Sequence, residues 1–380
     1  MNFESVNKLL EKSFRNNWDR PALSNYKGET LFYRDLARQI AKMHLSYVHY
    51  GIEPGDKVVI CSRNQSHWAV CFLAAMTYGA VPVPLLHEFK PGNIHYLVNH
   101  SDAKLLFVER PIWDGLNAED MPGLTAVIQI EDYQVLSLRD EAKELFLPHL
   151  NRWYKEKYPG GIHPEDLDYH VDGPEDLAIL SYTSGTSGFS KGVMIPYRAV
   201  WSNVYFMHEN LPMIGNSSNV VSILPAAHMY GMMFEFFFEM VMGCHVHFIT
   251  KVPSPKILSE VFAEVRPNVV YAVPLIVEKI VKSLRRSIPD GEDLCKALVN
   301  FFGGRFEEIV IGGAPLNPEV ERVLRKIKFP FTIGYGMTEC APIITYSRWF
   351  KGRMFSCGTV APNIDIRIDS AAHIRSMTSR

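Results

Sequence analysis

Apolar residues follow two kinds of spacing along this chain. Between positions 33 and 50 they recur every three or four residues, which predicts an amphipathic helix that ends at Gly51. Shorter apolar runs that lack this period predict buried strands. In the first part of the chain, strands are predicted at 22–24, 30–33, 57–61, 80–85, 103–108 and 126–130. Helices are predicted there at 6–10, 33–50, 66–76 and 94–99.

The alternation loosens between about 114 and 172, where polar and aromatic residues lead to a turn-rich connector at 159–164. We interpret this region as an insertion. Beyond it, strands are predicted at 177–180, 219–224, 244–249, 268–273, 308–311 and 364–369. Helices are predicted in the same part at 199–209, 229–242, 255–265, 275–284 and 318–327. Strands that alternate with helices at this spacing predict an α/β fold with parallel sheets covered on both faces.

Composition narrows the class of protein. The 380 residues are 47% hydrophobic, enough for a large core, and a net charge of −2 without blocks of like charge excludes a nucleic-acid binder with a basic face. The six cysteines are scattered without a Cys-x-x-Cys spacing, which predicts reduced thiols and a cytoplasmic location. The first residues predict no secretory signal. The longest apolar region, 229–242, is too short to span a bilayer and carries Glu235 and Glu239, so it predicts a buried helix and no transmembrane segment.

A stretch rich in glycine and hydroxyl groups, 182–193, follows the strand predicted at 177–180. Its glycines let the backbone approach a ligand, its hydroxyl and N–H groups can donate to an anion, and Lys191 adds a positive charge. These features predict a phosphate site. The stretch is not a Walker A loop, because Ser190 precedes Lys191 and Gly192 follows it, and it contains no G-x-G-x-x-G. A solvated Ser/Gly linker is the alternative.

Two further glycine-rich turns lie later in the chain: 312–315 follows the strand predicted at 308–311, and 334–339 follows the residues 331–333. Open α/β sheets bind ligands at the carboxyl ends of their strands, so these turns are expected to converge on the phosphate loop. The small residues of the first turn suit a flat ring, on which Tyr335 can stack. Thr338 can donate to a phosphate oxygen, and Glu339 is a hard carboxylate suited to Mg²⁺. The alternatives are a simple strand-to-helix turn for the first and a surface carboxylate for Glu339.

Four segments together resemble, in order and spacing, the core motifs of the adenylate-forming (AMP-binding) superfamily, and within it most closely the long-chain acyl-CoA synthetases. These segments are 182–193, 224–231, 312–316 and 334–339. The resemblance covers about 20–369. Three residues depart from the family pattern: Ser190 stands where Pro is usual, Ser187 where Thr is common and Tyr197 where His is frequent. Both serines still allow a phosphate-binding turn.

The resemblance implies a fold and a domain organisation. The fold is α/β: a large multi-layer αβαβα N-terminal domain of the acyl-CoA synthetase type, with mainly parallel sheets and part of a small β-barrel. Residues 1–369 would form this AMP-binding domain, with two similar α/β layers at about 1–170 and 171–345 and a β-rich end at 346–369. Residues 370–380 form a polar tail without family character, so the small C-terminal lid domain with its adenylation lysine is expected to be absent.

The implied reaction is a two-step ligation that needs ATP, Mg²⁺ and coenzyme A. A carboxylic acid, expected to be a medium- or long-chain fatty acid, is activated to acyl-AMP, and the acyl group then passes to the thiol of coenzyme A. The residues implied in catalysis are Thr186, Lys191, His228 and Glu339, of which Thr186 and Glu339 would hold Mg²⁺. The residues implied in nucleotide binding are Thr183, Ser184, Gly185, Thr186, Ser187, Gly188, Lys191, Gly312, Gly313, Ala314, Pro315, Gly334, Tyr335, Gly336, Met337 and Thr338.

Each implied role is specific. The 183–188 loop with Lys191 would hold the β- and γ-phosphates, the 313–315 turn with Tyr335 would sandwich adenine, and His228 would lie beside the carboxylate. A core histidine is the alternative for His228. The Met and Phe residues of 229–238 would line an acyl tunnel or form plain core.

The expected behaviour of a chain without a lid is weak binding of ATP·Mg and acyl-AMP with little ligase turnover. The alternatives are a non-catalytic nucleotide- or acyl-binding protein, or an acyl-AMP ligase that loads a carrier protein. Acyl chain length, oligomeric state and a peripheral membrane contact through Trp349 and Phe350 are left open by the sequence.

Overall fold

The computed structural model describes residues 3–140, 147–183, 191–250, 253–288, 293–362, 364–369 and 373–377. The chain divides into two compact units. The first unit comprises Met1–Trp201 with Pro225–His228, and the second comprises Ser202–Leu224 with Met229–Arg380. The two similar layers predicted at about 1–170 and 171–345 stay a prediction.

The first unit alternates helices and strands from its beginning. Its helices are α1 (Val6–Asn16), α2 (Tyr33–Tyr50), α3 (Ser66–Tyr78), α4 (Pro91–His100), α5 (Arg110–Trp113) and α6 (Leu147–Lys157). Its strands are β1 (Pro21–Asn25), β2 (Thr30–Phe32), β3 (Lys57–Cys61), β4 (Val81–Leu85), β5 (Ala103–Val108), β6 (Ala126–Gln129), β7 (Val135–Leu138), β8 (Leu177–Thr183) and β9 (Lys191–Pro196). Helix α7 (Tyr197–Asn210) carries the chain from the first unit into the second.

The main sheet of the first unit has the strand order β4-β3-β5-β6-β7. Strands β3 to β6 run parallel, and β7 pairs with β6 in the antiparallel direction. Consecutive residues of β3, β4 and β5 are apolar and buried, Val59, Val83 and Leu106 among them, so both faces of this part of the sheet are covered. Helix α2 ends where predicted, because Gly51 takes the left-handed conformation (φ 71°) and its N–H caps the last turn.

The second unit is also built from alternating elements. Its strands are β10 (Asn219–Ser222), β11 (His245–Phe248), β12 (Val269–Ala272), β13 (Glu308–Ile311), β14 (Phe331–Ile333), β15 (Tyr335–Gly336), β16 (Ile343–Tyr346), β17 (Thr359–Val360), β18 (Asp365–Asp369) and β19 (His373–Met377). Its helices are α8 (Met229–Met232), α9 (Phe238–Met242), α10 (Pro255–Val265), α11 (Pro274–Ser287), α12 (Leu294–Phe301) and α13 (Pro318–Lys326).

The sheets of the second unit differ in strand direction. Strands β12, β13 and β14 lie side by side in parallel, and β10 and β11 form a parallel pair. Strands β15, β16 and β17 form an antiparallel sheet, and β18 pairs with β19 in the antiparallel direction. The predicted α/β fold with mainly parallel sheets is therefore confirmed.

The apolar region at 229–242 is a buried helix, as predicted. A π-helical turn, Met233–Phe237, joins α8 to α9. Glu235 on this turn and Glu239 on α9 are both fully buried. Glu235 Oε2 accepts a hydrogen bond from the Leu224 N–H at 2.9 Å, and Glu239 Oε1 accepts one from the Tyr271 hydroxyl at 3.3 Å. Burial raises the pKa of both carboxyls well above the ordinary value, which favours their neutral form.

None of the described helices combines the length and the apolar character needed to cross a bilayer. None of the described cysteines is in a disulfide bond, and Cys61, Cys71, Cys244 and Cys340 are buried whereas Cys357 is exposed.

Helices α6 and α12 were not predicted, and their packing explains why. Helix α6 lies in the stretch interpreted as an insertion, and it places few buried apolar side chains, Leu150 and Tyr154 among them, toward the protein. Helix α12 has eight residues and buries Leu298. Both helices are too polar or too short for a clear 3.6-residue period.

Candidate functional site

In the second unit, two parallel strands end side by side at glycine-rich turns. Strand β13 pairs with β14 so that Ile311 lies opposite Ile333. The Gly334 N–H then donates to the Ile311 carbonyl at 2.9 Å. The turn that begins at Gly312 and the turn that begins at Gly334 therefore leave the same edge of the sheet. This is the edge at which open α/β sheets bind ligands.

The first turn packs against Tyr230 at Gly312 and is exposed to solvent at 313–315. The ring of Tyr230 lies so close that a Cβ on Gly312 would be 3.3 Å from it, and the Tyr230 hydroxyl donates to the Val310 carbonyl at 2.9 Å. Residues 313–315 are exposed. Asn317 then caps α13 by accepting hydrogen bonds from the N–H groups of the first helical turn. The segment is thus a strand-to-helix turn whose exposed surface consists of small residues.

The second turn runs along the antiparallel sheet. Tyr335 and Met337 are 36% and 37% exposed, and Thr338 begins a short 3₁₀ turn that ends at Cys340. Gly336 cannot carry a side chain here, because a Cβ would overlap the Pro342 carbonyl oxygen. Glu339 is exposed at this turn.

A buried amide that the sequence did not single out holds this turn in place. Asn203 of α7 is 3% exposed. Its Nδ2 donates to the Cys340 carbonyl at 3.1 Å, and its Oδ1 accepts from the Ile343 N–H at 3.0 Å. One neutral side chain therefore fixes the backbone on both sides of the bend after Glu339. The contacts are 137 and 140 residues apart in sequence, so no local pattern could have revealed them.

In the first unit, the predicted phosphate loop is the connection of a β-hairpin. Strands β8 and β9 are antiparallel, and Thr183 pairs with Lys191. The predicted residues Ser184, Gly185, Thr186, Ser187 and Gly188 lie outside the described residues. Lys191 is exposed where the loop ends. The hairpin is braced near this point by a 2.8 Å hydrogen bond between the Tyr182 hydroxyl and His100 Nδ1, and burial raises the pKa of Tyr182 to about 12.

His228 also belongs to the first unit. Its side chain is exposed, so the alternative of a buried core histidine does not fit. The surrounding protein still desolvates the imidazole and lowers its pKa, which keeps the ring neutral at pH 7. Its segment is held by Asn64, whose Oδ1 accepts a 2.7 Å hydrogen bond from the Ala226 N–H. Asn64 is a second residue that the sequence did not indicate.

Tyr197, which stands where the family often has His, has a structural role. It is 2% exposed. Asn7 Nδ2 donates to its hydroxyl at 3.2 Å, and the hydroxyl lies 3.3 Å from the Met76 carbonyl. This departure from the family pattern therefore ties α1 and α3 to the start of α7.

The donor set for Mg²⁺ is limited in the described residues. No group of three or more His, Cys, Asp or Glu side chains within the described ranges is arranged to hold a metal ion. Glu339 offers a single exposed carboxylate. One carboxylate is compatible with Mg²⁺ coordination, because Mg²⁺ usually binds one or two protein carboxylates and completes its shell with water and substrate phosphates.

The Met and Phe residues predicted to line an acyl tunnel are packed as core. Met229, Met232, Met233, Phe234, Phe237 and Phe238 are all buried. Phe234 makes edge-on contacts with Tyr230 and Tyr271, with ring centroids 5.5 and 5.4 Å apart. The plain-core alternative accounts for these contacts.

A family model described as AMP-binding enzyme matches residues 10–374. The chain belongs to the AMP-binding enzyme family. The motifs at 182–193, 224–231, 312–316 and 334–339 are the segments by which its sequence resembles that family.

Curated relatives are acid–CoA ligases by name. The chain is 25% identical to long-chain-fatty-acid–CoA ligase 6 of Mus musculus over 92% of its length and 55% of that ligase. It is 27% identical to 4-coumarate–CoA ligase 1 of Arabidopsis thaliana over 92% of its length and 60% of that ligase. The chain thus spans little more than half the length of these relatives.

Solved structures share the fold. The N-terminal domain of FACL13 from Mycobacterium tuberculosis, with a bound inhibitor, matches with a TM-score of 0.77 and 18% identity, over 98% of this chain and 86% of that one. ATP-bound MatB from Rhodopseudomonas palustris matches with a TM-score of 0.76 and 21% identity, over 98% of this chain and 68% of that one.

Proposed function

We propose that this chain binds ATP and a carboxylic acid as the nucleotide-binding part of an acid–CoA ligase. One observation carries the proposal. In this member of the AMP-binding family, the exposed small residues 313–315 and the partly exposed ring of Tyr335 lie at the same edge of a parallel sheet.

The adenine ring is the part of the ligand that these two turns fit. A flat heterocycle can lie on the backbone of 313–315 because no large side chain projects there, and Tyr335 offers an aromatic face for stacking. Thr338 follows at the start of the 3₁₀ turn, where its hydroxyl would donate to the α-phosphate. The two hydrogen bonds of the Asn203 side chain, which we call the Asn203 clamp, keep this turn in one conformation before the ligand binds. This lowers the entropy cost of binding.

The phosphates are assigned to the hairpin of the first unit. The exposed ammonium of Lys191, with the loop at 183–188, would hold the β- and γ-phosphates. Thr186 and Glu339 would hold Mg²⁺, which neutralises phosphate charge when it is bound. Magnesium and coenzyme A are part of the proposal, and no residue is assigned to coenzyme A.

The proposed chemistry proceeds by two displacements. The substrate carboxylate attacks the α-phosphorus, a C–O–P anhydride bond forms, and the bond to the β-phosphate oxygen breaks to release pyrophosphate. The thiol of coenzyme A, having lost its proton to solvent, then attacks the acyl carbon and AMP leaves. Positioning and charge stabilisation are the protein's tasks in such a reaction. His228, neutral at pH 7, can donate a hydrogen bond to the substrate carboxylate.

The finer proposal for the acid is a medium- or long-chain fatty acid, which would connect the chain to fatty acid and lipid metabolism. The names of several relatives support an alkyl acid, whereas 4-coumarate–CoA ligase favours an aryl one. Flexible Met side chains at 229–233 could yield to an alkyl chain with less strain than aromatic ones.

Titration calorimetry of the whole chain with ATP and Mg²⁺ tests the proposal. We expect the Lys191→Ala/Glu339→Ala double variant to lose at least about 100-fold in ATP affinity, because both changes remove charge-assisted contacts. The matched control is Lys104→Ala/Glu264→Ala, which removes one exposed positive and one exposed negative group elsewhere. It should bind ATP like the unaltered chain.

Equal ATP affinity in the double variant and the unaltered chain would overturn the nucleotide assignment. The acid is tested separately by acid-dependent exchange of pyrophosphate into ATP across a panel of alkyl and aryl carboxylates. Exchange with aryl acids alone would overturn the fatty-acid assignment and leave the nucleotide assignment standing.

A further inference from the structure

The connection between β16 and β17 has an unusual composition. Residues 348–355, Arg-Trp-Phe-Lys-Gly-Arg-Met-Phe, contain three basic residues, four large apolar or aromatic ones and no acid. The whole chain, by contrast, has a net charge of −2. We refer to these residues as the 348–355 loop.

The apolar side chains of this loop face solvent. Phe350 is 60% exposed, Met354 49% and Phe355 56%. The other large apolar side chains that are exposed in the described ranges are mostly scattered, such as Val48, Val171 and Leu275. Single exposed apolar residues are normal on a protein surface, but a group of three in six residues marks an interaction surface.

Two buried carboxylates hold the backbone of the loop. Glu308 is fully buried and its Oε1 accepts a 2.9 Å hydrogen bond from the Trp349 N–H. Glu321 is 2% exposed and its Oε1 accepts a 2.8 Å hydrogen bond from the Phe355 N–H. Burying a carboxylate is costly unless its hydrogen bonds are good. The exposed side chains are therefore presented on a fixed backbone, which lowers the entropy cost of binding a partner.

Positive charge lies directly beside the exposed rings. The Arg322 guanidinium of α13 is 5.2 Å from the ring centroid of Phe355, and the Lys351 ammonium is 6.0 Å from that of Phe350. Lys351, Arg353 and Arg322 are all exposed. Arg348 is already paired, because its guanidinium lies 3.1 Å from Glu308 Oε2 and 3.9 Å from Glu307 Oε2. Within the described residues, Lys351 and Arg353 therefore place positive charge beside the apolar rings without an ion-pair partner.

We propose that the 348–355 loop docks on an anionic lipid surface. Phe350, Met354 and Phe355 enter the interface between headgroups and acyl chains, while Lys351 and Arg353 contact anionic headgroups. Aromatic rings beside basic groups are the combination that partitions into such an interface. A single loop gives reversible, salt-sensitive binding. The proposal does not depend on the proposed nucleotide chemistry.

Cys357 is exposed two residues after Phe355, so a fluorescent label on it reports on the surroundings of the loop. An environment-sensitive fluorophore on Cys357, in a Cys295→Ser background, is titrated with phosphatidylcholine vesicles and with mixed phosphatidylcholine–phosphatidylglycerol vesicles. We expect a blue shift with the mixed vesicles only, reversed by high salt. The same fluorophore on Cys295, in a Cys357→Ser background, should not shift.

Co-sedimentation with the mixed vesicles measures the contribution of each group. Lys351→Gln/Arg353→Gln should lower the partition coefficient about thirtyfold, since each basic residue near an anionic surface contributes roughly a factor of five. Phe350→Ser/Phe355→Ser should lower it at least about tenfold. The matched controls on α11, Lys279→Gln/Lys282→Gln and Leu275→Ser, change equally exposed residues and should partition like the unaltered chain.

Three results would overturn the proposal. These are no binding of the unaltered chain to mixed vesicles, equal losses in the α11 controls, or self-association in sedimentation velocity that the loop variants abolish. The last result would assign the loop to a contact between two copies of the chain. Unchanged thermal unfolding of each variant ensures that a loss of binding is not a loss of fold.

Discussion

The carboxyl ends of the parallel strands differ between the two units. In the first unit, the carboxyl ends of β3 and β5 are closed by Glu109, which is 6% exposed. Its Oε1 accepts hydrogen bonds from the Arg63 N–H at 2.5 Å and from Gln65 Nε2 at 3.3 Å. In the second unit, the carboxyl ends of β13 and β14 carry exposed glycine turns, and the buried carboxylate, Glu308, lies at the amino end of β13.

This difference suggests that the strand ends in the first unit serve stability and those in the second unit serve ligand binding. An edge at which a backbone N–H and a side-chain amide already bind a protein carboxylate is unsuited to a second anion, because like charges repel and these donors are occupied. The turn in the second unit is fixed by Asn203, a neutral amide, and the exposed carboxylate at this turn, Glu339, is the group proposed above to hold Mg²⁺. We infer that, of these two sheet edges, the one in the second unit binds the adenine and the α-phosphate.

The largest effect is expected at Gly336. In Gly336→Ala the new Cβ overlaps the Pro342 carbonyl oxygen, so the turn must shift. We expect a loss of about 3 kcal/mol in the free energy of unfolding, typical of overpacking, and a strong loss of ATP affinity. Urea unfolding and calorimetry measure the two. The control is Gly92→Ala in α4, where no atom lies within 4 Å of the added Cβ, and it should be neutral or slightly stabilising. Equal behaviour of the two variants would contradict the account of the turn.

The Asn203 clamp should affect both stability and ligand binding. Asn203→Ala leaves the Cys340 carbonyl and the Ile343 N–H without this partner, which is expected to cost about 2 to 3 kcal/mol. ATP affinity should fall about tenfold, because the Thr338–Cys340 turn is no longer fixed. Calorimetry at a temperature where the variant is folded separates the two effects. An unchanged ATP affinity would show that the clamp serves stability alone.

Glu109 provides the matching test in the first unit. Glu109→Gln keeps the shape of the side chain but weakens its charge-assisted hydrogen bonds, so we expect a loss of about 1 to 2 kcal/mol in the free energy of unfolding. ATP affinity should stay the same, since this edge is assigned to structure. A large fall in ATP affinity without a matching fall in stability would remove the distinction between the two edges.

The smallest effect is expected at Glu308, and it depends on pH. Burial raises the pKa of Glu308 from 4.5 to about 7, even though Tyr346 and Arg348 act in the opposite direction. A raised pKa in the folded state means that stability is fully present below about pH 4.5 and is lost as the pH rises through about 7. Glu308→Gln should remove this dependence, and near pH 5, where the folded carboxyl is still protonated, it should change stability by about 1 kcal/mol or less. Urea unfolding between pH 5 and 8 measures it, and parallel curves for both proteins would contradict the assignment.

The sequence predicted most of the regular elements because they carry a local period. Helix α2 and strands β3, β5 and β13 were predicted within a residue or two, since their apolar spacing reports burial directly. The β8–β9 hairpin around the phosphate loop was not predicted, because pairing of strands across a polar turn depends on contacts that a local pattern does not contain.

The residues that position the site were harder to find than the motifs themselves. Glycine-rich motifs are recognisable in a linear sequence, whereas Asn203, Asn64 and Glu109 act through partners 137, 162 and 46 residues away. An isolated Asn or Glu has no spacing that would distinguish it from a surface residue. The sequence therefore predicted where the two turns lie on the sheet but not what holds them.

Hydrogen–deuterium exchange of the whole chain, with and without saturating ATP and Mg²⁺, tests the central claim most directly. We expect ATP to slow amide exchange in 312–316 and 334–340 of the second unit, while exchange in 62–66 and 109–113 of the first unit stays unchanged. Unchanged exchange in 312–316 and 334–340 with saturating ATP would contradict the claim that the open strand ends of the second unit bind the nucleotide.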